Sequence, residues 1–238
     1  SDLYLWAPGL APTRALPPAL AIPYVALSDA LARPPSLSYV HSQLCNFALT
    51  GPESRLDEPT ALRPLQTFQD DGDEAWFWVI HIAIEAAGGP AALAGAQACA
   101  AARAGDAERA AAALETMADG FAAIERLARR IEDGCAPERF WRTLRPFLFS
   151  PPEGVVFEGV ERFGGRPQAF LGQTGAQSSL LPALCGALGI RHGATELTEY
   201  LEAVRAYMPA PHRAFLKGLD GSAARSLAER GPARLRAA

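Results

Sequence analysis

The chain has 238 residues, 49% of them hydrophobic and 20% charged, with a formal net charge of −4. Such a composition belongs to a folded chain with a sizeable core, and its slight acidic excess argues against a nucleic-acid surface. The four cysteines, Cys45, Cys99, Cys135 and Cys185, lack CxxC spacing and read as reduced thiols of a cytoplasmic protein, not as a disulfide frame or zinc site.

Residues 1–19 are rich in proline and read as an irregular segment packed on a main domain that spans 20–238. A short helix is predicted over 22–31, closed by Pro34-Pro35. Over 36–49, Leu37, Val40, Leu44 and Phe47 recur at helical spacing, with Tyr39, Ser42 and Asn46 on a neighbouring face. Residues 50–64 read as a polar surface loop. The acids Asp70, Asp71, Asp73 and Glu74 precede an apolar run over 75–87 and suit a helix N-terminus better than a calcium loop, whose twelve-residue pattern is missing. That run is apolar nearly all round, the mark of a buried helix, and His81 and Glu85 are its polar intrusions.

The Ala-rich stretch 91–130 reads as a helical hairpin turning at Gly105. A helix over 137–149 is kinked by Pro146, and 155–160 is one isolated β-like run. A helix over 195–207 turns Leu197, Leu201 and Val204 inward, and a last one covers 222–229. Both ends read as cut: the chain opens at Ser1 without Met, and 234–238 reads as the start of another helix. With no signal peptide and no uninterrupted apolar run of about 20 residues, no membrane partner is expected. The fold class is all-α, a helical bundle holding a ligand between its helices.

Two places invite chemistry. Arg145 shares a helix with Phe140, Trp141, Leu144 and Leu148, an apolar setting in which a guanidinium needs a carboxylate from the protein or from a ligand. The stretch 170–179, FLGQTGAQSS, concentrates glycine, hydroxyl and amide groups before an apolar helix. Gly172 and Gly175 permit φ > 0 and a flat backbone, Ser178 and Ser179 can cap, and Pro182 suits the first turn. It reads as an ordinary helix entry or as a loop lying against a large planar ligand.

That stretch, with Ala169, resembles the haem-side loop of the indoleamine 2,3-dioxygenase family. Three more stretches resemble that family in the same order: 20–24 with 34–39, the RFWRTLR of 139–145, and the YMPAPHRAFL of 207–216. The resemblance implies haem b and O2, a monomer, and opening of the indole ring of L-tryptophan to N-formylkynurenine. A relative acting on a substituted indole, or a haem binder without turnover, stays open beside it. It implies that Tyr39, Ser42, Phe77, Phe140 and Leu148 line the indole pocket and that Arg145 pairs with the substrate carboxylate. Gly172, Gln173, Thr174, Gly175 and Ala176 lie against the haem, with the Thr174 hydroxyl near the substrate ammonium. His81 departs from the pattern. Family members carry serine there, whereas the sister tryptophan 2,3-dioxygenases keep a distal histidine that accepts the indole N–H; a satisfied core histidine is the plain alternative. The axial histidine is expected beyond residue 238. His212 belongs to the YMPAPHR stretch and reads as a brace.

Overall fold

The computed structural model describes residues 5, 13–69 and 71–230, the side chains of 227, 228 and 230 excepted. Asp70, residues 1–4 and 6–12, and the expected helix start at 234–238 lie outside the described residues. In chain order come β1 (Ala15–Leu16), α1 (Pro18–Ala30), β2 (Phe47–Leu49), β3 (Leu62–Pro64), α2 (Gly72–Arg103) and α3 (Ala107–Ala128). A helical stretch over 137–148 follows, then β4 (Val156–Phe157), α4 (Leu180–Ala187), α5 (Glu196–Val204), α6 (Ala210–Gly218) and α7 (Ser222–Arg230). The fold is all-α. Among the described residues its strands form only two ladders, β1 with β4 in parallel and β2 with β3 antiparallel.

The 32 residues of α2 form the hub. Asp71 caps it by accepting from Glu74 N at 2.8 Å. Buried Glu74 accepts from Phe68 N, Gln69 N and Trp78 Nε1 at 2.7, 2.8 and 2.9 Å, tying the entry loop to the first turns. Asp71 and Asp73 also pair with Arg139 at 2.7 and 3.4 Å, so the described acids act as caps and struts.

Local rules break this helix at Gly88-Gly89-Pro90, yet it runs straight through. Pro90 removes one backbone donor. Packing offsets that loss: Ala91, Ala94, Ala98 and Cys99 form one buried cluster with Leu114 and Met117 of α3 and Leu180, Leu184 and Ala187 of α4. The glycines let the helices meet closely. A Cβ at Gly88 would fall 2.3 Å from Leu180 Cδ2, and one at Gly120 would fall 2.4 Å from Ala91 Cβ. The uninterrupted helix is long and apolar enough to cross a membrane, but here α3, α4, Leu62 and Leu144 cover its sides, the place of a core helix. The turn to α3 falls at Gly105 as expected, with φ +75°.

Other differences have equally local causes. α1 starts at Pro18, earlier than expected, because proline is tolerated in a first turn, and Pro23 lies inside it in the second turn. The 36–49 periodicity yields only a π-helical turn, Val40–Leu44. Phe47–Leu49 pairs with Leu62–Pro64 instead, and Asn46 locks that pairing through both backbone groups of Gln66 at 2.9 Å. The stretch 137–148 passes from a helical turn to a π-helical one (Phe140–Leu144) and then to a 3-10 turn (Arg145–Leu148) at Pro146. Leu197 faces outward, because the helix over 196–204 buries only Val204.

The close helix contacts give a paired test. Gly120→Val should cost about 1–3 kcal/mol through overpacking against Ala91. Gly89→Ala, with nothing within 4 Å of the added carbon, should gain roughly 0.5–1 kcal/mol of helix stability. Circular dichroism melts should therefore move in opposite directions.

Candidate functional site

The side chains of interest come from four segments packed on the first half of α2. Phe77 and Trp78 of α2, Phe140, Leu144 and Leu148 of the 137–148 stretch, and Leu37 and Phe68 form one apolar cluster. Within it the rings of Phe77 and Phe140 lie 4.9 Å apart, and the His81 ring lies 4.3 Å from Phe77. So Phe77, His81, Phe140 and Leu148, named separately from sequence, share one wall. A cavity of about 390 Å³ opens behind it, lined by Leu37, Phe68, Trp78, His41, Ser42 and Leu27 among others.

The two histidines nearby hold opposite tautomers. His81 Nδ1 lies 2.7 Å from the Phe77 carbonyl oxygen, which can only accept, so Nδ1 carries the proton and Nε2 keeps its lone pair. Burial lowers its pKa, outweighing that hydrogen bond, and the ring is neutral near pH 7. His41 Nδ1 instead accepts from Ser38 N at 3.2 Å, which leaves the proton on Nε2. Burial, with Arg33 adding repulsion, lowers the His41 pKa to about 4.

Arg145 is half-buried, and among the described residues it makes no ion pair; its guanidinium sits 4.5 Å over the Phe149 ring. No carboxylate among the described residues holds it, although an internal partner is the plain reading of a guanidinium among aromatics.

The 170–179 loop is strapped down at many points. Its two glycines have ordinary negative φ, so the expected left-handed backbone is not used there. Gly172 is needed for close approach: a Cβ there would fall 2.3 Å from the Leu148 carbonyl oxygen. Gly175 faces open space, with nothing within 4 Å of an added Cβ. Thr174 Oγ1 accepts from Ala176 N at 3.3 Å and caps the short turn Gly175–Gln177. Tyr207 Oη accepts from Leu171 N at 2.7 Å, and Ser179 Oγ bonds His212 Nδ1 at 2.7 Å, so the YMPAPHR stretch braces both ends of the loop. Ser178 Oγ accepts from Leu180 N at 3.0 Å and caps α4, whereas Ser179 does not.

Three buried glutamines tie this loop to the Tyr39–Gln43 turn. Gln177 is paired at both ends, accepting from Tyr39 N and donating to Gly172 O, each at 2.9 Å. Gln173 Nε2 donates to Gln43 Oε1 at 3.1 Å, and Ser42 Oγ donates to the same oxygen. Gln43 is fully buried, and its Nε2 has no hydrogen-bond partner among the described residues, a condition that costs about 1–3 kcal/mol. In the sequence, helical periodicity sets Gln43 between the apolar stripe and the Tyr39–Asn46 face, where nothing marks it.

Glu85 is the other missed residue, noted in the sequence only as a polar intrusion one turn beyond His81. Its Oε1 accepts from Ser178 Oγ at 2.5 Å, and the Tyr39 hydroxyl bonds the same carboxyl. One side chain thus joins α2, the Tyr39 turn and the loop. Burial raises its pKa, more than the Ser178 and Tyr39 hydrogen bonds lower it. A folded carboxyl with raised pKa contributes stability that is fully present below the unfolded value and is lost as pH rises through the folded one. The stability of wild type relative to Glu85→Gln should therefore be greatest near pH 4 and decline toward pH 8. Urea unfolding across that range checks it, and a constant difference would contradict it. Glu85→Ala, which strands two hydroxyls, should cost about 1–3 kcal/mol.

The sequence model of the indoleamine 2,3-dioxygenase family matches residues 1–235. The chain is 32% identical to indoleamine 2,3-dioxygenase acdA of Aspergillus candidus over 91% of its length, and 31% identical to indoleamine 2,3-dioxygenase 1 of Rattus norvegicus over 92%. It is 34% identical to the 6-hydroxytryptophan 2,3-dioxygenase fscD of Fusarium equiseti over 88%. It spans about half of each relative, 57%, 55% and 52% of their lengths. A neutral imidazole acceptor, an unpaired guanidinium and an aromatic wall thus occur on a chain whose sequence, nearly end to end, belongs to the indoleamine 2,3-dioxygenase family.

Proposed function

We propose that this chain carries the substrate-binding part of a haem-dependent dioxygenase that opens the indole ring of tryptophan or of a ring-substituted tryptophan. The observation that carries the reading is Arg145: half-buried over the Phe149 ring, on the stretch that gives Phe140 and Leu148 to the wall, with no carboxylate partner among the described residues, it suits an amino-acid carboxylate. The wall then takes the indole by flat apolar contact, with Tyr39 and Ser42 beside it.

The residues present fit one side of a haem. Gly175 leaves open space where a side chain would stand, and the 172–176 backbone is fixed from both ends, as contact with a planar macrocycle requires. Bound haem would supply the iron that lets O2 react with the indole. Both oxygen atoms end on C2 and C3 as the bond between them breaks, so no external reductant is consumed. The protein orients the substrate through Arg145, and His81 Nε2 accepts the indole N–H. Thr174, whose hydroxyl oxygen also caps Ala176, still has a proton to offer. A ring-hydroxylated substrate is the second reading, favoured by one relative whose name is that of a 6-hydroxytryptophan dioxygenase.

Two outcomes are expected in the full-length, haem-loaded protein. Arg145→Ala should raise KM for L-tryptophan ten- to a hundredfold, since a charge-assisted pair contributes about 1.5–3 kcal/mol, while indoles lacking the carboxylate change little. Equal losses for both would make Arg145 structural. For His81, protonation removes the acceptor, so kcat/KM should fall as pH drops through a pKa held below the usual 6.5. His81→Ser should abolish that acid limb and lessen discrimination against 1-methyltryptophan. Coincident pH profiles in the two proteins would leave His81 a core histidine.

A further inference from the structure

We infer that Glu85 is a positioning residue of the site: by drawing Ser178 and Tyr39 onto one carboxyl, it sets where the 170–179 loop stands against the α2 face that bears Phe77 and His81. This rests on the indole-dioxygenase reading of the same site.

The bonds around Glu85 close into a ring. Ser178 Oγ donates to Glu85 Oε1 at 2.5 Å, and the Tyr39 hydroxyl donates to the same carboxyl. Gln177, next to Ser178 in the chain, accepts from Tyr39 N at 2.9 Å and completes the circuit. Its three corners are α2, the Tyr39 turn and the loop, so none of them shifts without breaking a bond to another. Among the described residues, Glu85 is the only side chain of α2 that hydrogen-bonds to either of the other two. Gln177 Nε2 carries the constraint onward by donating to Gly172 O at 2.9 Å, and Thr174 lies between those two residues.

Stability does not call for a carboxyl here. Burying one is costly, and apolar side chains of similar size would hold the three segments together at least as well. Apolar packing, however, lets segments slide, whereas two hydroxyls converging on one carboxyl are satisfied in a narrow range of arrangements. Glu85 follows His81 by one turn and Phe77 by two on the same face of α2. The ring therefore sets where the Thr174 hydroxyl stands relative to His81 Nε2 and the Phe77 ring, the groups that orient the substrate. Arg145 belongs to the 137–148 stretch and lies outside the ring, so loss of Glu85 leaves the carboxylate anchor in place. The defect expected is misorientation, not weak binding, and a misplacement of about 1 Å can cost roughly a hundredfold in rate.

The test uses the full-length, haem-loaded protein with L-tryptophan. Glu85→Leu should lower kcat roughly ten- to a hundredfold, while KM and the dissociation constant from equilibrium dialysis stay within about threefold of wild type. Glu85→Gln, whose amide still offers an oxygen and an N–H to the two hydroxyls, should bring kcat back to within about threefold of wild type. Tyr39→Phe, which keeps the ring and removes only the hydroxyl, should lower kcat in the wild-type background and change nothing further in Glu85→Leu. Amide exchange gives a readout free of turnover: amides over 172–177 should exchange faster in Glu85→Leu and Tyr39→Phe, and at the wild-type rate in Glu85→Gln. A Glu85→Leu protein with wild-type kcat and only a lowered melting temperature overturns the inference, as does additivity of the two substitutions. Should Glu85→Leu fail to fold, Tyr39→Phe breaks one of the same bonds, and wild-type kcat and loop exchange in that variant overturn the inference. If wild type turns over no indole, the dioxygenase reading fails and loop exchange alone decides: faster in Glu85→Leu and restored in Glu85→Gln upholds the placement of the loop by Glu85, and unchanged overturns it.

Discussion

The approach of α2 to α3 and α4 across small side chains is the constraint on which the rest of the molecule depends. Gly88, Ala91, Gly95 and Ala98 let neighbours come within contact distances that a larger residue would forbid. Apolar burial in that half of α2 stabilises the helix through Gly88-Gly89-Pro90, where local propensity would end it. The first half can then carry polar groups, because its helical state does not rely on them. Phe77, His81 and Glu85 all stand there, at four-residue spacing on one face.

Polar bonding then positions the parts that α2 does not hold covalently. The 170–179 loop has little regular structure, and its order comes from side chains reaching it from elsewhere. Tyr207 and His212 hold its ends, Gln177 and Glu85 hold its middle, and the Leu148 carbonyl presses on Gly172. Each bond is modest alone, roughly 1 kcal/mol, but they act on one short segment and leave it a single conformation. Opposite tautomers at His41 and His81 follow from the same logic: a backbone donor meets one ring and a backbone carbonyl the other.

What could be read from the sequence divides along physical lines. The buried nature of the first half of α2 was legible because apolarity on all sides has no other stable outcome in a globular chain. Arg145 was legible as a charge in an aromatic setting, although its lack of an internal partner was not, since pairing is a property of the folded molecule. Periodicity misled over 36–49, where Leu37, Val40, Leu44 and Phe47 imitate a helical stripe that strand pairing interrupts. The 75–87 helix and the first arm of the 91–130 hairpin, read as separate, are one helix because the donor lost at Pro90 weighs less than a face of close contacts. Of the two reasons for glycine in the 170–179 loop, left-handed backbone and the lack of a Cβ, only the second is used, at Gly172, where the Leu148 carbonyl comes close. Gln43 and Glu85 could not be singled out, because nothing local distinguishes a half-paired buried amide, or a carboxyl bridging three segments, from ordinary polar positions.

The continuity of α2 also has a kinetic meaning. Amide protons over 77–85 sit in the middle of a helix whose far half is locked to α3 and α4, so they exchange with solvent only when the whole core opens. The 170–179 loop has no such lock: its hydrogen bonds come from side chains and can open a few at a time. Amide exchange should therefore be slowest over 77–85 and faster over 170–179, although the loop keeps one conformation.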